Sequence, residues 1–255
     1  MEFIDTHTHL YLELFSDDYD SAVKLAVDAG VKHMLLPNVD IDTVESMMGL
    51  ANQFPDNCHP MMAIHPTSIK EDYKEKLEEI KHLLFNGNFI AVGETGIDLY
   101  WDKTFYNEQV FSFEQHIEWA IKLDLPIVIH SRKSLDEIVK VLDNYKSSNI
   151  KGVFHCFPGN LIQAKKVIER GFYLGIGGVV TYKNSDMSKV VSEIPLEWLL
   201  LETDAPYLPP VPHRGKRNES AYIPIIAEKV AELKGVSLEE VARITTDNAK
   251  KVFNL

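Results

Sequence analysis

A (β/α)8 barrel is the fold this sequence predicts, and three observations predict it. Eight short apolar runs alternate with amphipathic stretches along 255 residues, and that alternation builds a parallel sheet covered by helices. The runs are almost continuously apolar, as strands buried on both faces must be. Chemically active side chains recur where the runs end, which in a barrel is a single face. A doubly wound open sheet would need a glycine-rich phosphate turn after its first strand. Thr6-His7-Thr8-His9 stands there instead.

The eight strands are placed at Glu2–His7, His33–Asn38, Pro60–Ile64, Phe89–Glu94, Pro126–His130, Gly152–His155, Phe172–Ile176 and Trp198–Asp204. After the first, Asp17–Ala29 carries Tyr19, Val23, Ala26 and Val27 on one helical face and stops at Gly30. Asp42–Phe54 repeats the pattern with Val44, Met47, Met48 and Ala51. Tyr73–Phe85 is rich in Glu and Lys, which suits an outer helix with a solvated face. Asn107–Leu123, Leu135–Tyr145 and Leu161–Arg170 follow, the last stopped by Gly171. The connection Ser188–Ile194 is short. Tyr222–Leu233 and Leu238–Phe253, parted at Gly235, give the last barrel helix and an extra C-terminal helix. No linker, low-complexity tract or internal repeat interrupts the pattern, so residues 1–255 read as one domain.

Hydrophobic residues make up 45% of the chain, enough to fill a barrel core. The net charge of −12 speaks against a protein that coats nucleic acid non-specifically, which needs a basic face. It leaves room for an enzyme that grips only a strand end. Cys58 and Cys156 are too few for a disulfide framework, which points to a reducing cytosol. The first strand begins almost at Met1, leaving no room for a signal peptide, and no apolar run approaches a membrane span. A cytoplasmic protein without membrane contact or obligate protein partner is expected.

Side chains alternate faces along a strand, so His7 and His9 point the same way with Thr8 opposite. Glu94, His130, His155 and Asp204 end later strands and so meet them at the C-terminal face. His33 and His59 lie at strand starts, and His82 and His116 within helices, where packing or surface roles are expected. Four histidines and two carboxylates exceed the needs of one tetrahedral ion. Two divalent cations fit better, with Glu94 as the bridge, in the arrangement that clamps attacking and leaving oxygens of an in-line displacement. Imidazole-rich ligation favours Zn or Mn over Mg.

With those residues in place, the chain resembles the TatD-family metal-dependent deoxyribonucleases, within the amidohydrolase-like barrels. The matching stretches are Asp5-Thr6-His7-Thr8-His9, Ala63-Ile64-His65-Pro66, Gly93-Glu94-Thr95-Gly96-Ile97-Asp98, Pro126-Ile127-Val128-Ile129-His130-Ser131-Arg132, His155-Cys156-Phe157-Pro158-Gly159, Leu201-Glu202-Thr203-Asp204-Ala205-Pro206-Tyr207-Leu208 and Arg214-Gly215-Lys216-Arg217-Asn218-Glu219. They span the chain in family order. Ala63 replaces a usual Gly and Pro158 a usual Ser; neither is a ligand, though Pro158 bears on the loop that meets substrate. The resemblance implies one ion held by His7, His9, Glu94 and Asp204 and another by Glu94, His130 and His155. Family members are described as Mg-dependent, which the imidazole count does not favour.

For substrate, the loop His213-Arg214-Gly215-Lys216-Arg217-Asn218 stands out in an acidic protein. Barrels bind phosphate on their last loops, so Arg214, Lys216 and Arg217 are expected to contact it. Arg132, two residues past His130, and His65, before the turn at Pro66, are further candidates. Glu202 shares a face with Asp204 and is expected to orient it. Cys156 is expected to pack as a hydrophobe. Tyr100, Trp101 and Phe105 could stack bases but are expected to pack their loop, and Phe111, Phe113 and Trp119 to be core. The leading expectation is a deoxyribonuclease trimming DNA from a 3′ end, with Asp204 as general base. The alternatives are a metal-dependent deacylase or amidohydrolase, such as one that deacylates mischarged tRNA, and a catalytically silent binding protein on the same fold.

Overall fold

The computed structural model describes all 255 residues. Its strands are β1 (Phe3–Asp5), β2 (Val31–Pro37), β3 (Cys58–Met61), β4 (Val92–Asp98), β5 (Ile127–Arg132), β6 (Gly152–Phe154), β7 (Phe172–Ile176) and β8 (Leu199–Leu201). All are parallel, in ladders β1-β2-β3 and β4-β5-β6-β7-β8. Two seams join the ladders into a barrel. Ile90 N–H donates to Pro60 O (3.0 Å), Met62 N–H to Ala91 O (3.2 Å) and Gly93 N–H to Met62 O (3.3 Å). On the other side Thr6 N–H donates to Leu201 O (3.0 Å) and Asp204 N–H to His7 O (2.9 Å).

Nine helices surround and close it: α1 (Tyr19–Asp28), α2 (Val44–Gln53), α3 (Tyr73–Asn86), α4 (Tyr106–Leu123), α5 (Leu135–Leu142), α6 (Leu161–Ile168), α7 (Met187–Glu193), α8 (Ile223–Lys234) and α9 (Leu238–Phe253). The short seventh connection forms a helix of its own, because Met187, Val190 and Val191 all bury against the barrel. Of the expected helix-core aromatics, Phe113 and Trp119 are buried, whereas Phe111 is exposed and meets Tyr73 edge-on.

The barrel interior takes one apolar residue from or beside each strand: Ile4, Leu35, Met61, Ala91, Val128, Val153, Tyr173 and Leu200. Ala249, Val252 and Phe253 of α9 pack against them, so the extra helix plugs the mouth where the strands begin. Each buried Ile, Leu, Met, Val or Phe side chain among them stabilises the fold by about 1.5–3 kcal/mol. Hydrogen bonds pin the plug: Asn248 Nδ2 donates to Leu196 O (2.8 Å) and Leu199 O (2.9 Å), and Thr246 Oγ1 to Glu2 O (3.0 Å). At that same end His33 Nδ1 and His59 Nε2 pair at 2.8 Å, the packing role expected of strand-start histidines.

The other mouth is shaped by slips in strand phase. Ile4 faces the interior, so unbroken alternation would carry Thr6 and Thr8 inward and turn His7 and His9 out. Instead β1 stops at Asp5, and the chain bends at Thr6 and His7 before Thr8 bridges to Ala205. The bend returns the histidines to the inside. A second slip lies in β4, where the register against β5 shifts between Val92 and Thr95. It turns Glu94 inward and extends the strand to Asp98, four residues past the expected end. β8 is shorter than expected, stopping at Leu201, and Asp204 follows in a left-handed conformation (φ 58°).

Candidate metal centre

The inward residues at this mouth line a cavity of about 670 Å³ whose wall includes His9, His65, Glu94, His130, His155 and Asp204. Glu94 is its hub. Its Oε2 lies 3.2 Å from His7 Nε2 and 3.8 Å from His9 Nε2. Its Oε1 lies 2.9 Å from both His130 Nδ1 and His155 Nε2, and 3.5 Å from His65 Nε2. The two oxygens thus face different imidazoles, although the His7 and His155 rings stack at 3.7 Å and form a ligand group of their own with Asp204. Asp204 Oδ1 faces the first group, 3.6 Å from His9 Nε2 and 3.8 Å from His7 Nε2.

The ring partners decide which nitrogen is free. Tyr11 donates its hydroxyl hydrogen to Pro37 O, so its oxygen accepts from His9 Nδ1 (3.0 Å), leaving a lone pair on Nε2 toward Glu94. His130 Nε2 lies 2.9 Å from Asp98 Oδ2, which holds the ring with Nδ1 toward Glu94. His155 Nδ1 lies 3.5 Å from Glu202 Oε1, with Nε2 inward. His65 is the opposite case. Thr67 N–H donates to His65 Nδ1 (3.2 Å), so the ring proton sits on Nε2, pointing at Glu94 and the cavity. That makes His65 a donor, suited to a substrate oxygen, although its position brings it into one ligand group with Glu94 and His130.

Electrostatics agree with a cation-binding centre. Burial would raise the Glu94 carboxyl, but His155, His65, His7 and His130 hold it well below the usual carboxylate range. Burial disfavours a charged His155, yet Glu94 and Glu202 push it well above an ordinary imidazole. His130 is likewise raised against its burial by Asp98 and Glu94, whereas His7 is lowered by burial and by the neighbouring His155. The surroundings of Glu94 demand positive charge, which protons supply and a metal ion would replace. Ligands about 2.0–2.1 Å from one tetrahedral ion lie about 3.3 Å apart. Three groups have ligand atoms close enough to share an ion: His7, His9 and Glu94; His7, His155 and Asp204; and His65, Glu94 and His130.

A model of the TatD-related DNases matches residues 4–254. The chain belongs to that family. An uncharacterized metal-dependent hydrolase of Bacillus subtilis, YabD, is 37% identical over 98% of each chain. The 3'-5' ssDNA/RNA exonuclease TatD of Erwinia tasmaniensis is 30% identical over 98% of this chain and 99% of its own. Among solved structures, the TatD homologue YjjV of Escherichia coli superposes with a TM-score of 0.93 at 29% identity, covering 99% and 98%. This chain is accordingly a metal-dependent hydrolase of the TatD family on an amidohydrolase-like barrel.

Several expectations for this TatD-family chain are corrected. Glu202 does not orient Asp204. It is fully buried, accepts from Cys156 N–H and faces His155, because Gly175 on β7 leaves room: a Cβ there would lie 2.2 Å from Glu202 Oε2. Cys156 is no packed hydrophobe but lines the cavity, since β6 ends at Phe154 and the chain turns at Cys156 (φ 42°). Burial, with Asp204, Glu202 and Glu94 nearby, pushes its thiol well above the ordinary value. Arg217 is no free phosphate contact. Asp18 holds it at 2.7 Å through both guanidinium amino groups, Glu219 at 3.1 Å, and it donates to Leu14 O (2.8 Å). Arg214 lies over the Tyr182 ring, and neither it nor Lys216 lines the cavity. Arg132 does line it, without a carboxylate partner, its guanidinium 4.1 Å from the Tyr100 ring centroid. Trp101 also lines the cavity and is exposed rather than packed.

Other residues that matter here were not singled out from sequence. Asp98 shares the face of Glu94 at a spacing of four, with Gly96 between them, where a Cβ would lie 2.1 Å from His130 O. Asp5 accepts from Thr203 N–H (2.9 Å), Thr203 Oγ1 (2.6 Å) and His7 N–H (3.3 Å), tying the ends of β1 and β8 together. Buried His116 accepts at Nε2 from Ile64 N–H (3.2 Å), fixing the segment that presents His65.

Proposed function

We propose that this protein is a nuclease that trims single DNA strands from a 3′ end, using two divalent cations that share Glu94. The observation that carries the proposal is the division of Glu94, with Oε2 toward His7 and His9 and Oε1 toward His130 and His155. His7, His9, Glu94 and Asp204 would hold one cation, and Glu94, His130 and His155 the other. Bound there, the cations would neutralise phosphoryl oxygens and make water acidic enough to attack at neutral pH. The chain's own groups do the rest. Asp204 takes the proton of the attacking water, its carboxyl held below the ordinary range by His9, His155 and His7 although burial alone would raise it. The water oxygen bonds to phosphorus as the phosphorus–oxygen bond to the leaving oxygen breaks, and that oxygen takes up the proton that Asp204 has received. His65, with its proton on Nε2, donates to a substrate oxygen, and Arg132 offers the unpaired cation at the rim.

The name of the Erwinia relative supports the phosphodiester and the strand end. So does the cavity: at about 670 Å³ it has the size of a small-molecule site and suits a chain terminus rather than a groove for duplex. The test is hydrolysis of a p-nitrophenyl phosphodiester against a p-nitrophenyl carboxylic ester, with and without EDTA. Chelator-sensitive turnover of the phosphodiester is expected. Turnover of the carboxylic ester alone would replace the nuclease with a deacylase.

A further inference from the structure

Trp101 is 67% exposed, at the wall of the cavity that contains Glu94 and Asp204. An indole of that size is normally buried, whereas this one meets the Tyr100 ring edge-on at 4.9 Å and leaves most of its surface to solvent. Its loop is firmly held. Leu99 N–H donates to Arg132 O (2.9 Å), and Asp98 Oδ1 accepts from Tyr100 N–H (2.9 Å) and Trp101 N–H (3.2 Å). The other oxygen of Asp98 holds His130. One carboxylate therefore fixes the indole's backbone relative to an imidazole that faces Glu94.

The surroundings are cationic and planar. The Arg132 guanidinium lies 4.1 Å from the Tyr100 ring centroid and 5.2 Å from that of Trp101, and Lys133 Nζ lies 5.1 Å over Tyr100. Arg132 is the last residue of β5, two past His130, and lines the same cavity. Across the mouth, on the loop after β8, Tyr207 is 51% exposed on the same cavity wall. Strands four and eight of an eight-strand ring stand opposite each other, so the cavity opens between two exposed aromatic rings.

We propose that Trp101, with Arg132 held against Tyr100, is a shelf for the unpaired base at the end of a nucleic-acid strand. This rests on the nuclease reading and adds what the enzyme grips. The base lies on the indole face, and its phosphate lies between Arg132 and the histidines around Glu94. Every base has a π-face, so the shelf is indifferent to sequence. Bases inside a duplex are already stacked and paired, so the shelf selects unpaired ends.

The experiment compares wild type, Trp101→Ala and Trp101→Phe on two single-stranded oligonucleotides, one with a normal 3′ nucleotide and one with a 3′ abasic residue. Trp101 is too exposed for its loss to unfold the barrel. Truncating a stacking side chain weakens binding about 5- to 150-fold. The expected result is a KM rise in that range for Trp101→Ala on the normal end, kcat nearly unchanged, little change on the abasic end and partial recovery in Trp101→Phe. In EDTA the normal oligonucleotide should quench the emission of exposed Trp101 in wild type, a signal lost in Trp101→Phe. Equal KM changes on both ends, or none, overturn the shelf while leaving cleavage by wild type as support for the nuclease. A wild type that cleaves neither end overturns the nuclease reading and the shelf with it.

Discussion

Replacing Asp98 should weaken metal binding although Asp98 faces no ion. Its Oδ2 holds His130 Nε2 at 2.9 Å and keeps Nδ1 toward Glu94 Oε1, also at 2.9 Å. Partners of this kind fix the tautomer and raise the basicity of the ligating ring, and losing one costs about 10- to 100-fold in metal affinity. That corresponds to about 1.4–2.8 kcal/mol. Asp98→Asn keeps an oxygen to accept from Tyr100 and Trp101 N–H, so the loop stays in place and the loss should fall in the lower part of the range. Asp98→Ala removes ring partner and loop anchor together and should reach the upper part. Competition with a chromophoric chelator, resolving each bound ion, measures the affinity, and circular dichroism checks the fold. The weakened ion should be the one that His130 holds. Unchanged affinity for every ion in both variants would refute the role given to Asp98.

Two further outcomes concern stability. Burial depresses His116 to about 4, so the folded protein keeps it neutral while the unfolded chain protonates it near 6.5. Its contribution is present above pH 6.5 and is lost as pH falls toward 4, by about 3 kcal/mol over the interval. Thermal unfolding from pH 7 to 4 should therefore fall less steeply in His116→Gln, which keeps an acceptor for Ile64 N–H; parallel curves would contradict the assignment. Arg217→Ala should lower stability by about 1 kcal/mol or less, the range of partly exposed ion pairs, with KM for an oligonucleotide unchanged. A large rise in KM would return the last loop to the substrate.

The barrel was legible because its evidence is local and repeated: eight apolar runs, helical stripes between them and candidate ligands at the run ends. Asp98 was missed because the strand was expected to end at Glu94, although it stands four residues further along the same strand face. The phase slips were not legible either. Strict alternation from Ile4 would have turned His7 and His9 outward, and a bend is set by pairing with a strand nearly two hundred residues later in the chain. Arg217 failed for a similar reason, since its partner Asp18 is 199 residues away and no local pattern joins them. Trp101 was misread because apolarity alone predicts burial, whereas its loop is anchored by Asp98 and leaves the ring in the open. Glu202 kept the expected face but found His155, the neighbour for which Gly175 makes room.

Metal-dependent trimming of strand ends is tested most directly by incubating a 5′-labelled single-stranded DNA oligonucleotide with the metal-loaded protein and following the products in time. The proposed chemistry predicts a ladder shortening one nucleotide at a time from the 3′ end. EDTA should abolish it, and Asp204→Asn should slow it by about 10² or more, the scale of losing a general base. An intact oligonucleotide in the presence of metal, or a ladder that Asp204→Asn leaves at the wild-type rate, would contradict it.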